Sequence, residues 1–171
     1  MKRLLLVCTL LLSPLAAHAQ LGLYAGYTAS KLNVANTDWV YGPTFGAYYD
    51  SHHFPVINFG LDARVSLIDS SNSTKVTSGL IGPRAVLHLP AIPIRPYAEV
   101  LGGVAQSQYG QGVAYINSKD FAYGFAAGVD LHILPYLDWR VLDYTYTRLQ
   151  DTESTGQKSL TTGLVLRIPL S

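Results

Sequence analysis

The feature that most constrains this chain is a period of two sustained over unusually long stretches. Eight segments alternate bulky apolar residues with small or polar ones: about 21–30, 40–50, 55–67, 76–88, 96–106, 120–133, 136–149 and 158–168. Successive side chains on a strand point to opposite faces, so each segment reads as a β-strand with two unlike faces. Most run ten to fourteen residues, whereas strands of soluble proteins are mostly about five or six. A tilted strand of about nine to eleven residues is what crossing a hydrocarbon layer requires. No 3.6-residue periodicity competes convincingly, and no apolar run after Gln20 is long enough for a membrane-spanning helix.

The composition of the two faces indicates which one is inside. In "FAYGFAAGVDLHI", one set is Phe121, Tyr123, Phe125, Ala127, Val129, Leu131 and Ile133; the other is Ala122, Gly124, Ala126, Gly128, Asp130 and His132. Over 55–67, Ile57, Phe59, Leu61, Ala63, Val65 and Leu67 oppose Asn58, Gly60, Asp62, Arg64 and Ser66. Over 158–168, Leu160, Thr162, Leu164, Leu166 and Ile168 oppose Thr161, Gly163, Val165 and Arg167. A soluble sheet would turn the bulky set into a core and present Lys, Glu, Thr and Gln to water. Here the polar set is glycine or alanine plus one or two charges, which suits the crowded interior of a closed eight-stranded barrel. The bulky set then faces lipid.

The connections carry a second signal. The first, third, fifth and seventh are polar and longer: "KLNVANTDW", "DSSNSTK", "SQYGQGVAYINSK" and "QDTESTGQ". The second, fourth and sixth read as tighter: "SHHF", "LPAIPIRP" and "LPY". Long loops at one end and short turns at the other are the layout of an outer-membrane barrel. The expectation is an all-β fold, an eight-stranded antiparallel up-and-down transmembrane β-barrel. With the mature N-terminus on the periplasmic side, Tyr41, Phe121, Tyr123, Tyr144 and Tyr146 fall at the outer interface. Tyr49, Phe54, Tyr97, Tyr136 and Trp139 fall at the inner one, giving the two aromatic girdles of such barrels.

The first residues have a different job. "MKRLLLVCTLLLSPLAAHAQ" has a basic start, an apolar run too short to span a bilayer, a Pro14 breaker and an Ala-x-Ala end. It reads as a secretory signal peptide, 1–19, cleaved to leave a barrel domain over 20–171. Cys8 leaves with it, so no disulfide framework is expected. Loss of Lys2 and Arg3 from the twelve basic residues leaves ten against eleven acids. Nothing resembles the basic field of a nucleic-acid binder, and no nucleic-acid partner is expected.

At this point the chain resembles the small eight-stranded bacterial outer-membrane β-barrels, the group of the OmpA transmembrane domain and OmpX-like proteins. The likeness covers essentially the whole mature chain and rests on "GPR" at Gly82–Arg84, "PYAEVLGGVA" at Pro96–Ala105, "FAAGVDLHI" at Phe125–Ile133 and "WRVLDYTYTR" at Trp139–Arg148. The last strand, with Thr161, Gly163, Leu166 and Ile168, is similar to the signal read by the barrel assembly machinery. It departs from the pattern in ending "RIPLS" where such proteins usually end on an aromatic residue. The resemblance implies residence in the cell outer membrane, contact with outer-membrane lipid, delivery by periplasmic chaperones, assembly by that machinery, and a monomer.

Candidate chemistry lies in the lumen. Asp62, Arg64, Arg84, Glu99, Asp130, Asp143 and Arg167 are placed inside, with His88 and His132 near the periplasmic end. Buried charges persist when paired, so the expectation is an ion-pair network filling the lumen, with Glu99 the leading partner for Arg84. The alternatives are a narrow pore or proton path, a lipid-modifying barrel enzyme, and a secreted lipocalin-like carrier. The enzyme needs His with Ser and an acid near the outer rim, and His52, His53, His88 and His132 are all assigned to the other end. The carrier needs the two faces reversed. His52 and His53 lack further metal ligands, and Asn72-Ser73-Thr74 is a glycosylation match of little weight in a bacterial-type barrel. No enzyme activity, cofactor or metal is expected.

Overall fold

The computed structural model describes residues 19–32, 39–51, 56–70, 74–89, 92–109, 116–150 and 156–170. Residues 1–18 of the expected signal peptide, Phe54 of the proposed girdle, His52 and His53 lie outside them, as does Asn72-Ser73 of the glycosylation match. Eight strands run in chain order: β1 (Ala19–Leu32), β2 (Val40–Ser51), β3 (Ile57–Ser70), β4 (Thr74–Leu87), β5 (Ile94–Tyr109), β6 (Ile116–Leu134), β7 (Leu137–Leu149) and β8 (Gly156–Leu170). Each pairs antiparallel with its neighbours, and β8 returns to β1 to close the barrel. Closure satisfies the backbone of every strand without a free edge, which is the condition for crossing lipid with strands. The seam is fully paired, from Ala19↔Leu170 to Leu32↔Gln157.

The bulky set faces outward. Leu61, Ile81, Val100 and Leu164 are each more than half exposed, at 56, 58, 64 and 53%. The alternate set is buried, including all of Asp62, Arg64, Arg84, Glu99, Asp130, Asp143 and Arg167. The barrel is thus apolar outside and polar within, the reverse of a soluble carrier.

Two expectations are corrected. The connections do not sort by length as the polar tracts implied: they occupy 33–39, 71–73, 110–115 and 150–155 at one end, and 52–56, 88–93 and 135–136 at the other. The polar segments "DSSNSTK" and "SQYGQGVAYINSK" are strand at both of their ends, because pairing continues through Ser70↔Thr74 and Tyr109↔Ile116. Polar sequence ended the apolar alternation without ending the backbone ladder. Tyr97 is also not a girdle residue. It is 4% exposed and points into the lumen, whereas Tyr41, Phe121, Tyr123, Tyr136 and Trp139 do lie on the outer wall.

Inward glycines shape the interior. Tyr24, Tyr48 and Tyr97 sit directly across the ladder from Gly46, Gly22 and Gly128. A Cβ on Gly22 would lie 2.1 Å from the Tyr48 ring, one on Gly46 2.3 Å from the Tyr24 ring, and one on Gly128 2.4 Å from the Tyr97 hydroxyl. Each glycine leaves the space in which a tyrosine ring lies flat across the neighbouring strand, so the rings reach the middle of the lumen.

Candidate functional site

The middle of the lumen is an interlocked layer of arginines, carboxylates and tyrosines. Arg64, on β3, donates through Nε to Asp62 (3.0 Å), through Nη1 to Asp143 and Thr145 (both 3.1 Å), and through Nη2 to Glu99. Arg84, on β4, donates to Glu99 (2.7 Å) and Asp130 (3.3 Å) and pairs with Asp50 at 3.4 Å. Arg140, on β7, donates to Asp130 at 2.9 Å and lies 3.7 Å from Asp143. Glu99, Asp130 and Asp143 each bridge two arginines, so no charge pair in the layer stands alone.

The tyrosines are part of this structure. The Arg84 guanidinium lies between the rings of Tyr48 and Tyr97, 4.2 and 4.0 Å from their centroids. That of Arg140 lies between Tyr24 and Tyr97, at 4.0 and 4.8 Å. A planar cation over an aromatic face is attracted to the ring quadrupole, the more so out of water. The hydroxyls serve the acids: Tyr24 donates to Asp62 (2.9 Å), Tyr97 to Asp143 (2.6 Å) and Thr145 to Asp143 (2.8 Å). Asp50, Asp62, Glu99, Asp130 and Asp143 outnumber Arg64, Arg84 and Arg140, and these neutral donors meet part of the surplus.

Two further layers flank this one. Toward the termini, Asp138 forms an ion pair with Arg167, whose Nε lies 2.9 Å away, and contacts His132 Nδ1 at 2.8 Å, with Arg95 at 3.8 Å. Arg167 is therefore paired here and not with the central acids. Toward the other end, Thr28 shares hydrogen bonds with Thr44 (2.6 Å) and Thr161 (2.7 Å), and Thr44 donates to Ser66 (2.9 Å). Beside them Leu80, Leu101, Ala105, Ala122, Ala126 and Leu149 form an apolar cluster inside the barrel. The cavity among these hydroxyls, above Arg64, has a volume of about 20 Å³, room for roughly one water.

Strict alternation along the sequence puts seven charges in the lumen; Asp50, Asp138, Arg140 and the half-buried Arg95 are there as well. A β-bulge explains Asp138 and Arg140. Register shifts between Arg140 and Asp143, and Val141 and Leu142 both face outward. The inward set on β7 is therefore Asp138 and Arg140 below the bulge, and Asp143, Thr145, Thr147 and Leu149 above it. An extra residue of this kind reverses the facing of everything beyond it. Thr162 donates to the Arg140 carbonyl at 3.0 Å and accepts from the Trp139 indole N–H at 3.2 Å, fixing the bulge from the outer wall. Among the described residues, His88 and His132 both lie at the end holding the termini, and no group of three or more potential metal ligands forms a site. Thr161 and Gly163 face inward on β8, and Leu166 and Ile168 face lipid.

A closed, apolar-walled, charge-filled eight-stranded barrel defines a class, the small transmembrane barrels of bacterial outer membranes. The chain belongs to the outer membrane protein beta-barrel domain family, whose model matches residues 4–167. None of the curated proteins matches the chain in sequence. Among solved structures it is similar to Neisserial surface protein A, with 14% identity, TM-score 0.57, and 86% of this chain and 96% of that one covered. It is similar too to Ail, the attachment invasion locus protein of Yersinia pestis, with 12% identity, TM-score 0.61, and 88 and 99% covered. A major outer membrane protein from Thermus thermophilus gives 10% identity, TM-score 0.52, and 88 and 99% covered. At these identities the likeness is one of fold.

Proposed function

We propose that this protein is a plugged, non-enzymatic barrel of the outer membrane of a Gram-negative-type cell, with a structural or surface-interaction role and no solute path. The observation that carries this reading is the central layer. Arg64 on β3 reaches Asp143 on β7, and Arg84 on β4 reaches Asp130 on β6. The first joins opposite walls of the ring and the second spans the strand between β4 and β6, and a solute path through the layer would have to part them. Breaking a buried pair strands a charge, at about 3–5 kcal/mol, so opening several together is prohibitive at rest. An enzyme would need a nucleophile, a base and an accessible cleft at one rim; the described histidines sit at the rim of the termini, with His132 engaged by Asp138.

The rest of the proposal follows the family. Periplasmic chaperones deliver the chain, and the assembly machinery reads Thr161, Gly163, Leu166 and Ile168 on β8, the strand that closes the seam against β1. The termini face the periplasm, the barrel works as a monomer in outer-membrane lipid, and the connections at 33–39, 71–73, 110–115 and 150–155 meet the outside. Planar-bilayer recording with the purified protein tests the plug. Rare, small and irregular current steps are expected; stable ohmic conductance would establish the narrow-channel reading instead.

A further inference from the structure

We propose that the secreted chain begins with pyroglutamate at position 20, formed when the freed amine of Gln20 closes on its own side chain beside Arg95. The inference rests on cleavage after Ala19, the end of the expected signal peptide, and not on whether the lumen conducts. The cut falls inside the seam of the barrel. Ala19 heads β1 and pairs with Ser51 and Leu170, and Gln20 pairs with Asp50 and Pro169. After cleavage Gln20 is therefore no loose tail: it is the first rung of a strand paired on both sides. It lies on the inward face of β1, with Tyr24 and Thr28 further along.

The neighbour that matters is Arg95 on β5. Its Nη1 lies 3.5 Å from Oε1, the carbonyl oxygen of the Gln20 side chain. Among the described residues, the charge of Arg95 has little other use. Asp138 stands 3.8 Å from it and is held more closely by Arg167, at 2.9 Å. The guanidiniums of Arg64, Arg84 and Arg140, by contrast, each meet two or more carboxylates. Arg95 is half-buried, so water screens it only in part.

The chemistry needs no second reactant. An α-amine titrates near about 8, so roughly a tenth of it is unprotonated at neutral pH. That nitrogen attacks Cδ of the same residue, and carrying both groups on one residue removes the entropy of encounter. An N–Cδ bond forms and the carbonyl electrons move onto Oε1. The α-nitrogen passes a proton to Nε2, the Cδ–Nε2 bond breaks, and ammonia departs from a γ-lactam whose nitrogen keeps one hydrogen. Negative charge develops on the oxygen that Arg95 faces, where a donor held in place lowers the barrier. The product suits its position. Asp50, across the ladder, is already paired with Arg84 at 3.4 Å, so an ammonium at Gln20 would add a cation to Arg95 and Arg167 at this end of the lumen. The lactam adds none, and it denies an exopeptidase the free amine at the start of the strand that closes the barrel.

N-terminal sequencing and the intact mass of the protein purified from cell envelopes test the modification. The mass is expected one ammonia below that of chain 20–171. No residue should be released until pyroglutamate aminopeptidase has acted on the unfolded chain, after which Leu21, Gly22 and Leu23 follow. A free Gln20, or a start at any other residue, overturns the proposal. The part played by Arg95 is read as a rate. A chain freshly freed of a removable leader ending before Gln20 is folded in detergent, and the loss of ammonia is followed by mass. The folded wild type is expected to cyclise at least about fivefold faster than folded Arg95→Met, and than the wild type held in urea. If Arg95→Met does not fold, Arg95→Gln is read the same way. Equal rates overturn the role of Arg95. Mass and sequence are blind to conductance, so failure here leaves the plugged-barrel reading to its own test.

Discussion

Replacing Arg84 by methionine keeps most of the side chain's volume and removes its charge from the centre of the barrel. Arg84 is 2% exposed, holds Glu99, Asp130 and Asp50, and fills the gap between Tyr48 and Tyr97. Its loss leaves the five central carboxylates facing two guanidiniums. Breaking a buried pair from one side costs about 3–5 kcal/mol, and two lost desolvated cation–π contacts add about 1 kcal/mol or more each. Against a typical total of about 5–15 kcal/mol, Arg84→Met should shift the unfolding midpoint by a large fraction. Glu99→Gln should cost much less, because it removes one charge from the side in surplus. The double variant should fall between the two. Its recovery is incomplete because Asp130 and Asp50 still lack Arg84, while Glu99 had also served Arg64. Urea unfolding in lipid vesicles, followed by tryptophan emission and gel mobility, measures all three. An Arg84→Met barrel within about 1 kcal/mol of wild type, or strictly additive effects in the double variant, would refute this account of the layer.

On the outer wall, Leu164→Arg should cost roughly 2–4 kcal/mol near the bilayer midplane; equal folding yields in vesicles for variant and wild type would reverse the facing assigned here. Gly22→Val should block folding by striking the Tyr48 ring, and Tyr48→Ala in the same chain should restore part of the heat-modifiable, folded form. An epitope inserted at 71–73 or 152–155 should be labelled on intact cells and one at 92–93 should not; labelling at 92–93 would invert the orientation.

Much of the barrel was legible because long strands with unlike faces leave few alternatives, and Arg84 opposite Glu99 followed from counting alternate residues on consecutive strands. Arg140 and Asp138 were not legible. Placing Asp143 inside and Trp139 outside, four residues apart on one strand, already violates strict alternation, and that conflict was the signal of a bulge between them. The bond that holds it, from Thr162 to the Arg140 carbonyl, depends on a residue of the next strand. Tyr24, Tyr48 and Tyr97 escaped for a different reason. Bulky aromatics read as lipid-facing, and their cross-strand glycines, the clue to their seats, become visible only once the register is known. The extent of β5 and β6 was hidden because hydrogen-bonded ladders tolerate polar side chains as readily as apolar ones.

The cross-lumen pairs also bear on how long the folded barrel lasts. Arg64 and Asp143 are 79 residues apart in sequence, and Arg84 and Asp130 are 46 apart. Arg84 and Asp130 need only the curvature of three adjacent strands, whereas Arg64 on β3 and Asp143 on β7 stand on opposite walls and need the sheet to curl before they meet, so the Arg64–Asp143 contact is expected after the main barrier to folding. Interactions absent from the transition state slow unfolding while leaving the folding rate nearly unchanged. That contact thus acts as a latch set last, giving the barrel a lifetime longer than its equilibrium stability alone implies.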